Sequence, residues 1–179
     1  WAEVSVPTCG WTTLYPVVEG EIDGAVSATE RSLENELLRI EFNERGEFTR
    51  ILDKETGREL AAGLCNSFKM YKDAPTAWDA WDLDSMYALT PVPLDAAAEI
   101  AVVASGPLFA ALRVTRTLHD STMIQEIHLR RGSRRIDFHT VVDWQERHKL
   151  LAIHQRDRHG IRTEGLFARA FAEITRGDD

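Results

Sequence analysis

Between Trp78 and Asp84 the chain reads Trp-Asp-Ala-Trp-Asp-Leu-Asp, placing two indoles and three carboxylates within seven residues. These side chains are suited to gripping sugars: an indole covers the C–H face of a pyranose while carboxylates accept its hydroxyl hydrogens. Trp78, Asp79, Trp81, Asp82 and Asp84 are therefore the candidate substrate-binding or domain-interface residues. The competing reading is structural, with the tryptophans anchoring a loop and the aspartates capping its turns. Glycoside cleavage needs two carboxyl groups flanking a sugar, which Asp79, Asp82 and Asp84 could supply, but nearness along the chain does not set separation in space. Residue types alone thus assign no catalytic residue.

Six histidines raise the question of metal chemistry. His154, Asp157 and His159 are the densest group, yet their spacing does not put both imidazoles on one helical face, and no further strong ligand adjoins them. No metal ligand is assigned. A mutarotase-like enzyme would need a histidine and a carboxylate facing each other on a concave sheet, and His128, His139 and Glu126 are the candidates. An ordinary cross-strand pairing accounts for them more simply. A Gly-x-Ser-x-Gly elbow, a glycine-rich phosphate loop and a Cys/His nucleophile pair are all missing.

The surrounding elements must be strands. Leu38, Ile40 and Phe42 alternate with Arg39, Glu41 and Asn43, the period of a half-buried strand. Turn residues follow at Asn43 to Gly46 and at Asp53 to Gly57, with strands expected over Phe48 to Leu52 and Arg58 to Ala62. Asn66 to Lys72 forms a further strand, and Pro75 disfavours helix just before it, so the Trp/Asp stretch sits on a loop closed by Pro91 and Pro93. Ala96 to Ser105 and Leu108 to Leu118 are strands broken at Gly106-Pro107. A type II′ turn centred on Gly132-Ser133 then matches Leu129 with Ile136, Ile127 with Phe138 and Met123 with Val142 on an apolar face. On the other face it matches His128 with Asp137 and Glu126 with His139, and a slip of one residue would put the apolar set in water.

Leu150 to Ile153 continues as a strand, His154 to Gly165 reads as irregular, and Leu166 to Ile174 fits a final strand or a short helix. At the other end, Val4 to Val18 is rich in strand formers but interrupted by Pro7 and Pro16, as expected of edge strands or an extended arm. Roughly ten short strands with frequent turns make an all-β, antiparallel sandwich. We divide the chain into an extended arm or edge strands, residues 1–30, and a sandwich domain, residues 31–179.

A length of 179 residues suits one domain with a real core. A net charge of −8 argues against nucleic acid and anionic membrane as partners, since phosphate binding needs a cationic face. Two cysteines without paired spacing favour a reducing compartment, and no apolar run is long enough to span a bilayer. A cytoplasmic chain is expected, and the start at Trp1 and the end on Gly177-Asp178-Asp179 suggest a piece of a longer one.

Five blocks carry a family resemblance, in order along the chain: Ser32 to Phe42, Asp53 to Glu59, Trp78 to Asp84, Gly132 to Phe138 and Asp143 to Leu151. They resemble the C-terminal region of glycoside hydrolase family 38 α-mannosidases, and the Trp-Asp-Ala-Trp-Asp form is similar to the bacterial and cytosolic branch. The resemblance implies an incomplete β-sandwich of the galactose-mutarotase-like supersandwich type. It also implies a retaining mannosidase whose aspartate nucleophile and zinc ligands lie upstream, so that zinc belongs to the full-length enzyme and this chain holds no cofactor. The implied partners are the catalytic domain of the same polypeptide and a mannose-containing glycan. Two departures stand out: His154 to Gly160 is polar where the family continues with an apolar strand, and the final Gly177-Asp178-Asp179 does not match. An exposed sheet edge is the expected consequence. Two other functions fit the residues, an autonomous carbohydrate-binding module and a mutarotase-like enzyme.

Overall fold

The computed structural model describes residues 4, 6–14, 26–74, 85–154 and 173–175. Its strands are β1 (Ser27–Thr29), β2 (Ser32–Glu34), β3 (Leu38–Phe42), β4 (Phe48–Asp53), β5 (Arg58–Glu59), β6 (Ser67–Lys72), β7 (Pro91–Val92), β8 (Glu99–Ser105), β9 (Phe109–Leu118), β10 (Ser121–Arg130), β11 (Ile136–Asp143), β12 (Lys149–His154) and β13 (Glu173–Thr175). Among the described residues one 3-10 turn spans Tyr87–Leu89. The strands form a five-stranded sheet β1-β2-β3-β4-β5, a second five-stranded sheet β13-β11-β10-β9-β8 and a three-stranded sheet β12-β6-β7. Every pairing is antiparallel except β11 with β13.

The second sheet is the spine, because its strands β9 and β10 run for ten residues each. Along β10 the residues pointing inward are Ser121, Met123, Gln125, Ile127 and Leu129, all buried. Ile127 and Leu129, with Leu112 and Val114 of β9, pack on Leu33, Ile40, Phe42 and Phe48 of the first sheet. Met123 and Leu118 pack instead with Met70 of β6 and Val142 of β11. Two apolar cores therefore lie side by side on one face of the spine, one beneath each of the other sheets.

Gln125 marks the seam between them. Asn66, fully buried, donates through Nδ2 to Gln125 Oε1 at 2.7 Å and to Gly46 O at 3.2 Å. Arg116 donates from Nε to Arg45 O (3.0 Å), from Nη2 to Gly46 O (2.9 Å) and from Nη1 to Gln125 Oε1 (3.2 Å). Burial draws the Arg116 guanidinium down to about 10, against the pull of the Glu47 charge, so it stays protonated at neutral pH. The turn it clasps requires glycine: Gly46 has φ +68, and a Cβ there would lie 2.4 Å from Val114 Cγ1.

The expected register of β10 on β11 is observed at every pair, from Leu129 with Ile136 to Met123 with Val142. The turn itself differs: the closing bond runs from Ser133 N–H to Arg130 O at 3.4 Å, with Gly132 at φ 67 just ahead of the donor. The cause is a clasp from the first sheet. Asn35 Nδ2 donates to both Arg130 O and Ser133 O at 2.7 Å, Glu36 Oε1 accepts from Gly132 N–H at 2.6 Å, and Arg134 pairs with Glu55. The ladder of β5 is shorter than expected and that of β8 starts later, at Glu99. The short β7 was not foreseen, since Pro91 and Pro93 point to a loop. Among the described residues of 4–14 there is no strand, and Val4, Val6, Trp11 and Leu14 are exposed, whereas Ser27–Thr29 forms the edge strand β1 of the first sheet.

The turn after β9 is held by Glu146, whose Oε1 accepts from Asp120 N–H (2.8 Å) and Ser121 Oγ (3.1 Å) and whose Oε2 pairs with Lys149. Burial raises its carboxyl, but the bonds from Lys149, Asp120 and Ser121 together outweigh this, and the net shift is downward. A depressed folded-state value means stability that is present above the unfolded value and lost as the pH falls through the folded one. Glu146→Gln is therefore expected to flatten the acid limb of the stability profile below about pH 4.5, read from urea midpoints at several pH values.

Candidate functional site

The Trp78 to Asp84 stretch, with Trp78, Asp79, Trp81, Asp82 and Asp84, lies outside the described residues, but both of its roots are within them. The chain leaves the three-stranded sheet at the end of β6 and returns through the 3-10 turn into β7, which pairs with β6 at Met70 and Tyr71. Lys72 N–H donates to Thr90 O at 2.9 Å, and Asp73 N–H to His148 O at 2.8 Å. Thr90 Oγ1 bonds Lys72 O and Tyr87 O, and the rings of Tyr71 and Tyr87 meet edge to face with centroids 5.2 Å apart. The two roots of the candidate stretch thus form a fixed base at one end of this sheet. Asp73 contributes a buried carboxylate oxygen, Oδ1, with no hydrogen-bond partner.

A second cluster occupies the outer face of the spine sheet, as the register requires. Glu126 stands opposite Arg113 on β9 and His139 on β11, and His128 opposite Asp137. Arg113 donates to Glu126 Oε1 from Nη2 at 2.7 Å and Nε at 3.0 Å, while His128 Nε2 lies 3.4 Å from Glu126 Oε2. The two imidazoles are tilted neighbours, centroids 4.8 Å apart. The Arg113 bonds, set against partial burial, hold the Glu126 carboxyl below the usual carboxylate range. At neutral pH Glu126 is ionised and a poor proton donor, and its two bonds from Arg113 tie it into an electrostatic lattice on the sheet surface.

Zinc does not fit here. Among the described residues no group of three His, Cys, Asp or Glu side chains could hold a metal ion. The most promising carboxylate, Glu126, already spends one oxygen on Arg113. His154 ends β12, while Asp157 and His159 lie outside the described residues. The polar residues that the sequence reading passed over are Arg116, Gln125, Asn66 and Glu146. For Arg116 and Gln125 the signal was a polar side chain on an otherwise apolar strand face, as at Gln125 between Met123 and Ile127, whereas Asn66 and Glu146 lie outside the strands.

Comparisons with known proteins agree on one lineage. The family described as "Glycosyl hydrolases family 38 C-terminal domain" matches residues 33–156. "Alpha-mannosidase 2C1" of Homo sapiens is 32% identical over 164 residues, which cover 85% of this chain and 16% of that protein. "Alpha-mannosidase G" of Dictyostelium discoideum is 27% identical over 130 residues, 66% of this chain and 12% of its own length. The chain spans about a sixth or less of the length of these relatives. Among solved structures, a glycosyl hydrolase family 38 protein from Enterococcus faecalis superposes with a TM-score of 0.58 at 15% identity, covering 72% of this chain and 19% of that one. An α-mannosidase from Enterococcus faecalis V583 gives 0.53 at 15% identity, over 75% of this chain and 19% of its own. At that identity the likeness is one of fold.

Proposed function

The chain belongs to the glycosyl hydrolase family 38 C-terminal domain family, and on that premise we propose that it is the non-catalytic β-sandwich of a retaining α-mannosidase. The observation that carries this reading is the extent of the match: 85% of this chain aligns with 16% of an α-mannosidase. The nucleophile and the zinc ligands belong to the rest of the polypeptide. Residues 31–179 are the sandwich, residues 1–30 an arm or edge strands leading into it, with β1 at the edge of the first sheet, and the setting is cytoplasmic. The two cysteines are free, Cys9 exposed and Cys65 buried.

The sandwich packs on the catalytic domain of the same polypeptide and lends the Trp78 to Asp84 loop to the cleft that holds a mannose-containing glycan. One indole anchors the loop, and the other faces the sugar together with Asp79 or Asp82. The fixed base of the loop supports this, as does the unpartnered Asp73 Oδ1 beside it, a buried acceptor that gains from any donor brought by a neighbouring domain or ligand. Purified alone, the chain should show no turnover of an aryl mannoside and no stoichiometric zinc, and zinc-dependent turnover would sink the reading. In the full-length enzyme, alanine at Trp78 or Trp81 should split by residue. One change should lower kcat/KM by about tenfold or more with little shift in melting temperature, and the other should lower stability by about 3 to 5 kcal/mol.

A further inference from the structure

We propose that the outer face of the spine sheet, along the row that Arg113, Glu126 and His139 form across β9, β10 and β11, is a binding site for a neutral sugar chain. The residues of both apolar cores point to the other face of the spine, so this row is separate from the Trp78 to Asp84 stretch rooted on β6 and β7. The inference goes beyond the mannosidase reading and takes from it only the choice of probe.

What singles the row out is hydrogen-bonding capacity left unspent. On the outer side of the first sheet the charges pair off: Arg39 with Glu34 and Glu41, Arg50 with Glu41 and Glu59, Lys54 with Glu34. Here Arg113 commits Nε and Nη2 to Glu126 Oε1, which leaves Nη1, and Glu126 Oε2 meets only His128 Nε2, at a long 3.4 Å. Among the described residues no hydrogen bond reaches either ring nitrogen of His139, which is exposed and touches the His128 ring at 4.8 Å. Apolar ground flanks the row. On one side Ile124, 39% exposed, stands opposite Val141, 57% exposed. On the other, Phe109 packs on His128 with centroids 6.0 Å apart and lines, with Ala104, Pro107 and Leu108, a hollow of about 350 Å³.

The class of ligand follows from the pattern of donors and acceptors. Arg113 can only donate, the Glu126 carboxylate can only accept, and an imidazole does either, so the row suits groups that do both at once, as hydroxyls do. A carboxylate or phosphate would confront Glu126, and an ammonium would confront Arg113. Neighbouring hydroxyls of a sugar satisfy both, while Ile124, Val141 and the hollow take its C–H faces. A few polar groups set among apolar walls is the usual make-up of a ligand site.

Native electrophoresis of the full-length polypeptide through gels holding soluble mannan reads this binding as retardation, with polygalacturonate as the anionic control. Mannan should slow the wild type and polygalacturonate should not. Glu126→Ala should raise the apparent Kd by about tenfold, the worth of a hydrogen bond to a charged group, and His139→Ala by about threefold or more. Glu41→Ala, on the outer side of the first sheet, should leave it unchanged. His139 bonds nothing in the fold, so its variant reads the site even where Glu126→Ala disturbs the lattice. No retardation of the wild type, or wild-type retardation in either row variant, overturns the inference, and so does stronger retardation by polygalacturonate, which would mark an anion site. Turnover of an aryl mannoside by the wild-type sample separates the two readings: turnover with retardation that ignores Glu126 removes the sheet site alone, whereas Glu126-dependent retardation without turnover removes the mannosidase reading alone.

Discussion

Replacing Arg116 with alanine is expected to destabilise the protein by about 3 to 5 kcal/mol, because it breaks a buried charge network instead of a surface pair. The guanidinium satisfies Arg45 O, Gly46 O and Gln125 Oε1 at once, with only 7% of the residue exposed. Its removal orphans Arg45 O and leaves Gly46 O and Gln125 Oε1 with Asn66 as their remaining donor. It also strips the Glu47 carboxylate of the nearby positive charge, although Ser67 Oγ at 2.6 Å and Asn43 Nδ2 at 2.7 Å still bond it. Lysine should recover only a small part of the loss, since a compact ammonium cannot reproduce a three-way planar fork. Urea unfolding of the wild type, Arg116→Ala and Arg116→Lys measures all of this, and an alanine variant within about 1 kcal/mol of the wild type would show that the seam contributes no net stability.

Phe48→Ala should have an effect of the same size, about 3 to 5 kcal/mol, for a different reason. Phe48 is 1% exposed, meets Phe42 edge to face with centroids 5.0 Å apart and stacks on Phe138 at 5.8 Å. Phe42 belongs to the first sheet and Phe138 to the spine, so this one ring contacts both layers of the larger core. Leucine in its place should cost about 1 to 2 kcal/mol, because it keeps most of the volume and loses mainly ring contacts. Thermal melts of the two variants should rank in that order. Equal losses would mean that the aromatic geometry, not the cavity, dominates.

How much of this could be read in advance depended on how far apart the interacting residues lie in sequence. The β10–β11 register was legible because both faces of one local hairpin carry independent patterns, apolar at Ile127 and Phe138 and polar at His128 and Asp137. The pairing of β6 with β12 was not, since nothing near Ser67 to Lys72 indicates a partner some eighty residues later. The division into two cores was hidden for the same reason. Arg116 and Gln125 interrupt apolar strand faces, but their meaning depends on the carbonyls of a distant glycine turn, and without that turn they are only breaks in a pattern. The hairpin turn was misplaced because Gly132 marks a positive φ without saying which bond closes around it; Asn35, almost a hundred residues away, decides that. The Trp/Asp stretch was conspicuous by composition, and the described structure fixes its root on β6 and β7 while leaving the assignment of its side chains to the experiments above.

Two cores on one spine also have a consequence for the order in which the molecule opens. The sheets of β1 to β5 and of β12-β6-β7 cover different lengths of β9 and β10 and draw on separate apolar clusters, so either can detach while leaving most of the other's apolar contacts in place. Native-state hydrogen exchange should therefore resolve two cooperative units, with amides of β6 and β12 exchanging together at one free energy and those of β2 to β4 at another. The amides joining β9 to β10, protected by both layers, should exchange last, in the event that unfolds the whole chain.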